Sequence, residues 1–290
     1  MWQRLAGCRK KRNFAHALTI RHKRQDMFEK EIADYEKLLA EYRGKVSSRM
    51  SEMEWMEYNE ILFSAHSCAI EGNSFTVDDS RTLRENGLGM IPVGKSLYEC
   101  MEMADHFRSF DYMVRNLDRP FDETLLKEVN RLVTEHTLPY KVPGAVPGEY
   151  TTEDMAAGDT VFGEHEKLVA RVPDLMSSTE KVMASGAHPV FIAARWHGFF
   201  EYLHPFRDGN GRTGRLMSNF IILKAGHPLL IIRKEDRPEY IESLRQIRTE
   251  RTDEHLISFF FRTAMRRMSE EISQKRILTE DIVPFVGPGI

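Results

Sequence analysis

Residues 204–215 read HPFRDGNGRTGR and crowd one histidine, one acid, three glycines and three arginines into the junction between two apolar runs. Pro205 cannot continue an ordinary helix, so the chain turns directly after His204, and Phe206 is suited to anchor that turn in a core. Gly209 and Gly211 let the backbone approach a ligand and present amides that a side chain would shield. A helix opening near Asn210 offers unpaired N–H groups and about half a positive charge at its start, which suits an anion. Arg212 and Arg215, three residues apart, share one face of that helix and add two guanidinium groups. This combination reads as a cradle for a polyphosphate. Asp208 would repel phosphate unless a cation bridges them, and Mg²⁺ is commonly bound by one or two carboxylates plus phosphate oxygens. An imidazole is the side chain that accepts a proton near neutral pH, and His204 stands at the edge of this cradle. A base beside a metal-held phosphate points to phosphoryl-type transfer onto a hydroxyl.

A second stretch, SCAIEGN at 67–73, addresses the first. Ser67 and Glu71 are four apart and share a helical face, while Gly72 suits a helix C-terminus. A carboxylate at that end meets the negative pole of the helix dipole, so a cation is expected beside Glu71.

The elements that must position these residues are helical nearly throughout. Phe28, Ile32, Tyr35, Leu39 and Tyr42 recur at three and four, with Gly44 as the stop. A second helix is expected from about Ser51 to Ile70, a third along Leu97 to Leu117, and a fourth capped by Asp122. Residues 138–164, rich in Pro, Gly and Thr, break the rhythm and read as a long loop with a short hairpin around Tyr150–Thr152 and Thr160–Phe162. Helical patterns resume to about residue 275. His197, seven residues before His204, sits among Trp196, Phe199 and Phe200 and reads as core rather than as half of a metal pair.

With 41% hydrophobic and 29% charged residues, the composition is that of an ordinary globular protein. The formal net charge of −3 exerts no global pull on nucleic acid or an anionic membrane, so a nucleic-acid partner is not expected. No apolar run reaches the ~20 residues of a spanning helix, so no membrane partner is expected either. Cys8, Cys68 and Cys100 are too few and scattered for a disulfide framework, which suits a cytoplasmic location. Residues 1–26 are markedly basic and are expected to be a disordered extension.

The 204–215 stretch resembles the signature of the Fic family, H-x-F-x-[DE]-G-N-G-R-x-x-R, at every defined position: His204, Phe206, Asp208, Gly209, Asn210, Gly211, Arg212 and Arg215. The resemblance implies an all-α Fic-fold helical bundle with a small β-hairpin flap. It also implies transfer of AMP from ATP to a Ser, Thr or Tyr hydroxyl of a target protein. His204 would then take the hydroxyl proton and Asp208 would hold the Mg²⁺. The Gly209 and Gly211 amides and the Asn210 side chain would steady the phosphates. Arg212 would meet the β-phosphate region and Arg215 the γ-phosphate. Thr160, Val161, Phe162 and Gly163 would form the flap that clamps the target. One departure is Gly148-Glu149-Tyr150-Thr151, where the family commonly carries an arginine in the fourth position.

SCAIEGN is similar to the family's inhibitory motif, [ST]-x-x-x-E-[GN], through Ser67, Glu71 and Gly72. That resemblance implies a glutamate that pairs with Arg215, displaces the γ-phosphate and restrains the enzyme, in the subclass with an N-terminal inhibitory helix. It also leaves two alternatives: removal of AMP with Glu71 orienting a water, or a nucleotide-binding regulatory module of low turnover. The implied organisation is a helical region with the inhibitory motif over 27–90, a Fic core over 91–275 and a tail over 276–290, with homodimer pairing a property of such relatives.

Overall fold

The computed structural model describes residues 21–157 and 160–280, and these form an all-α bundle. A 3-10 turn, Arg21–Phe28, leads into α1, Glu29–Lys45. There follow α2, Glu52–Ile70; α3, Val77–Asn86; α4, Leu97–Arg115; α5, Glu123–Thr134; and the single turn α6, Leu138–Lys141. After the loop come α7, Leu168–Met183; α8, Pro189–Leu203; α9, Asn210–Lys224; α10, Arg237–Thr249; and α11, Glu254–Glu280. Among the described residues no helix is long and apolar enough to cross a membrane.

The local chemistry explains most boundaries. Ser51, Thr76 and Ser96 each cap a helix and are answered three residues on by Glu54, Asp79 and Glu99 in full capping boxes. Asp122 accepts from the Leu125 amide at 2.8 Å and opens α5 as expected. The helix α3 has no counterpart in the sequence reading, although Thr76-x-x-Asp79 is the signal that announces it. The first helix runs one residue past Gly44, since a glycine weakens a helix without ending it.

The two helices flanking the 204–215 stretch lie at the centre. Pro189 sits in the first turn of α8, and its sequence PVFIAARWHGFFEYL is apolar nearly all round because α7, α9, α10 and α11 pack on it. Trp196, Phe200, Leu203, Phe206 and Phe220 are fully buried in one apolar cluster that also includes Phe28, Tyr35 and Leu39 of the N-terminal helices. Each such side chain stabilises the fold by roughly 1.5–3 kcal/mol. Cys68, Phe75, Leu83, Cys100, Met103 and Phe107 form a smaller cluster beneath the end of α2.

One expectation needs correction, and the boundaries of two segments can be described. The paired strands are Ala156–Ala157 (β1) and Thr160–Val161 (β2), with Ala156 opposite Val161. Tyr150 instead forms an isolated bridge with Phe206, so the segment read as a first hairpin strand braces the 204–215 turn. Of the extension expected to be disordered, residues 21–26 are helical; residues 1–20 lie outside the described ones. The tail expected from 276 begins inside α11, which continues to Glu280, and 281–290 likewise lie outside.

Candidate active site

The turn between α8 and α9 is held by its own sequence. His204 is the C-cap of α8 in the left-handed conformation, φ 49°, where a non-glycine residue is uncommon and strained. Phe206 is buried, and the Asn210 side chain clamps it from both sides: its Oδ1 accepts from the Phe206 amide at 2.9 Å and its Nδ2 donates to the Phe206 carbonyl at 2.7 Å. In this structure the Asn210 side chain shapes the loop. Asn130 of α5, which the sequence reading passed over, supports the turn from below. It donates to the Asp208 carbonyl at 3.0 Å and to Thr213 Oγ1 at 3.1 Å, and it accepts from the Gly148 amide at 3.2 Å.

Gly209 has φ +74°, and a Cβ there would lie 2.6 Å from Thr134 Cγ2, so only glycine fits. As the N-cap of α9 it provides no side-chain hydrogen bond, which leaves the first amides of that helix available to an anion.

A carboxylate of the protein itself lies beside this helix start. Glu71, the C-cap residue of α2, lies over the first turn of α9, where a Cβ on Gly211 would come within 2.2 Å of its Oε1. Arg215 donates from Nη2 to Glu71 Oε1 at 2.8 Å and to the Ser67 carbonyl at 2.8 Å, and from Nε to Ser67 Oγ at 3.0 Å. Its Nη1 is buried without an acceptor. The Arg215 side chain is 2% exposed and that of Glu71 38%. Burial disfavours the charge of Arg215, but the Glu71 carboxylate and Tyr240 offset this and hold its pKa above the ordinary value. Gly72, at φ +106°, turns the chain away after Glu71.

Arg212 is also occupied. It is ion-paired with Glu102 of α4 at 2.7 Å and with Asp208 at 3.4 Å, and Glu102 in turn accepts from Asn73 Nδ2 at 2.8 Å. Burial works against the Asp208 carboxylate, yet Arg212 and Lys141 outweigh it and keep its pKa below the usual range. Lys141 lies 2.9 Å from Asp208 Oδ1. Neither Glu102 nor Lys141 could be found from the sequence, because no local spacing connects them with the 204–215 turn.

The His204 ring stacks on Phe162, with centroids 3.8 Å apart and planes 16° from parallel, and the Arg248 guanidinium lies 4.6 Å from the far ring. Gly163 passes against the Leu203 carbonyl, 3.0 Å from where its Cβ would be. Val161 is exposed, and the backbone of Thr160 pairs with Ala157. His197 is fully buried, its Nε2 2.6 Å from Tyr240 Oη, and burial lowers its pKa to about 4; it belongs to the core.

An uncapped helix start, two arginines, a carboxylate and a partly exposed imidazole thus meet at one turn of a helical bundle, an arrangement suited to an anion. The profile of the Fic/DOC family matches residues 120–222, which span all of the 204–215 turn. Among curated relatives, the protein adenylyltransferase Fic of Nematostella vectensis is 33% identical over 188 residues, which is 62% of this chain and 42% of that protein. The protein of the same name from Drosophila willistoni is 32% identical over 185 residues, 62% of this chain and 35% of that one. The chain therefore spans less than half the length of these relatives. A Fic domain containing signaling protein from Bacteroides thetaiotaomicron superposes with a TM-score of 0.70 at 22% identity, covering 84% of this chain and 97% of that one. Fic-1 from C. elegans gives 0.70 at 22%, covering 91% and 78%. These likenesses are of fold, and they agree with the all-α architecture.

Proposed function

We propose that this chain is a self-inhibited protein adenylyltransferase that moves AMP from ATP to a Ser, Thr or Tyr hydroxyl of a target protein. One observation carries the reading: a carboxylate of the chain, Glu71, sits on Arg215 over the Gly211 turn, at an anion site that a triphosphate would need. Curated relatives bearing the name protein adenylyltransferase support the activity.

In this mechanism the α9 amides and Arg212 receive the phosphates, and Arg215 receives the γ-phosphate once Glu71 withdraws. His204 accepts the proton of the incoming hydroxyl as its oxygen bonds to the α-phosphorus, and pyrophosphate leaves. Such transfer rests mainly on positioning and charge stabilisation. Asp208 fits a Mg²⁺ ion, as a carboxylate kept ionised beside the phosphate site and already facing one cation, Lys141. When bound, that ion would neutralise phosphate charge. The backbone of Thr160, Val161, Phe162 and Gly163 would pair with a target segment as an added strand, a reading supported by the Phe162 ring stacked on His204.

The inhibition follows from occupancy, since one guanidinium cannot hold a carboxylate and a phosphate in the same way at once. Incubation with α-labelled ATP and Mg²⁺ tests this. Label should enter protein with Glu71→Gly, hardly with the unaltered chain, and not with Glu71→Gly/His204→Ala. A Glu71→Gly protein that gains no label with any hydroxyl-bearing target removes the support for inhibition. Release of AMP from a pre-modified target by the unaltered chain, lost in Glu71→Gly, assigns the removal reaction instead.

A further inference from the structure

We infer that Glu201 is a positioning residue for His204: its carboxylate holds the imidazole in the tautomer with the proton on Nδ1, leaving the Nε2 lone pair for the incoming hydroxyl. The inference rests on the adenylyltransferase reading for its role in turnover, but the contact is readable without any substrate.

Glu201 and His204 are three apart, at the end of α8, and the left-handed backbone of His204 bends its ring back over the last helical turn. Glu201 Oε2 lies 3.5 Å from His204 Nδ1, at the outer limit of a hydrogen bond. Nδ1 is buried without a hydrogen bond, and Glu201 is the acid beside it at ion-pair distance. The other carboxylate oxygen, Oε1, is also buried without a hydrogen bond. A buried carboxylate with one bare oxygen is costly unless it serves a partner, and unpaired buried groups of this kind gather at functional sites.

The surroundings favour the ionised carboxylate. Burial works against its charge, but the contact with His204 and the Arg215 guanidinium on α9 are among the influences that outweigh it, so that its pKa lies below the ordinary carboxylate range. Tyr240 and Arg248 face it from α10, and Arg248 donates to its backbone carbonyl. Phe162 covers one face of the imidazole and restricts its rotation. Nδ1 lies inside, so the 21% exposure of the His204 side chain falls on the remaining edge, where Nε2 is.

The step balances simply. The proton passes from the target hydroxyl to Nε2, the hydroxyl oxygen bonds to the α-phosphorus, and the bond to the leaving pyrophosphate breaks. The resulting imidazolium keeps its Nδ1 proton, and Glu201 stabilises its charge without taking that proton, as an orienting acid does for a catalytic histidine elsewhere.

The ¹⁵N shifts of the His204 ring, recorded on the whole chain at a pH where the imidazole is neutral and assigned by loss in His204→Gln, read the tautomer directly. The unaltered chain should show the proton on Nδ1. Glu201→Leu should move it toward Nε2, while Glu201→Gln, whose amide oxygen still accepts, should keep it on Nδ1. In the Glu71→Gly background, Glu201→Leu should lower kcat by about 10²-fold, within the range a general base supplies, with KM for ATP unchanged and partial recovery in Glu201→Gln. A proton on Nε2 in the unaltered chain, a tautomer unmoved by Glu201→Leu, or an active Glu71→Gly enzyme indifferent to Glu201→Leu each overturns the assignment. If Glu201→Leu does not fold, the unaltered chain and Glu201→Gln still decide. Absence of labelling in Glu71→Gly strikes the adenylyltransferase reading and leaves the tautomer result standing.

Discussion

Two segments converge on the 204–215 turn from opposite sides, and they are held in different ways. The end of α2 is part of the core: Ser67, Cys68 and Ile70 are buried, and the turn after Glu71 is tied down by Asn73 on Glu102 and by the Ser74 amide on Glu99. The Glu71 side chain itself remains 38% exposed. The flap, by contrast, consists of two strands of two residues each, with Val161 71% exposed. Its grip on the site is Phe162 on His204, together with the Arg248 donation to the Val161 carbonyl at 3.3 Å. An arm built into the core can yield only by moving one side chain, whereas a small flap with a free strand edge can accept a partner's backbone. The Glu71 contact is therefore firm and local, and the two-strand segment is the more loosely held side.

Substitutions that sharpen this contrast should differ in size. The largest effect is expected for Glu71→Gly. A charge-assisted contact contributes about 1.5–3 kcal/mol, less where solvent reaches it, so ATP affinity measured by calorimetry should rise on the order of 10- to 100-fold. An unchanged affinity would break the comparison on the arm side. Gly209→Ala comes next, since its Cβ would collide with Thr134 at 2.6 Å in a left-handed backbone. A cost of roughly 1–3 kcal/mol should lower the melting temperature by several degrees.

Phe162→Ala should remove a ring contact worth ~0.5–1.5 kcal/mol, leave the melting temperature nearly unchanged and reduce labelling of targets in the Glu71→Gly background. Full activity there would show that the flap does not organise the base.

A pH dependence is expected on the arm side. Hydrogen bonds from Ser74 and Ser96 lower the Glu99 pKa to about 2. A lowered carboxylate adds stability that is present above its unfolded value of about 4.3 and is lost as pH falls toward 2. Urea unfolding of Glu99→Gln should accordingly depend less steeply on pH across that window. The smallest effect is expected for Lys141→Ala. Its ammonium is 53% exposed, so stability should change by less than ~1 kcal/mol, while Mg²⁺ titration in the presence of ATP should show tighter binding once Asp208 is freed of its competitor.

Much of the site was legible because it is local. The residues of 204–215 are adjacent in the chain, and helix geometry alone places Arg212 and Arg215 together and leaves the Gly209–Gly211 amides open. Glu71 was legible for a related reason: a carboxylate at a helix C-terminus calls for a cation, and Arg215 supplies it. The flap register was not legible, since two-residue strands leave no periodic trace. Glu201 escaped notice because an acid near the end of a helix is unremarkable until burial makes it costly.

The sequence by itself determined the helical class, a helix start suited to an anion and the need for a cation beside Glu71, since each follows from spacing within a few residues. Only the tertiary structure decided that Glu102 meets Arg212, that Lys141 faces Asp208, that Asn210 clamps its own loop and that Phe162 covers the base. Those contacts join residues far apart in the chain, and side-chain packing, which no local pattern encodes, is what brings them within hydrogen-bond and ring-contact distance.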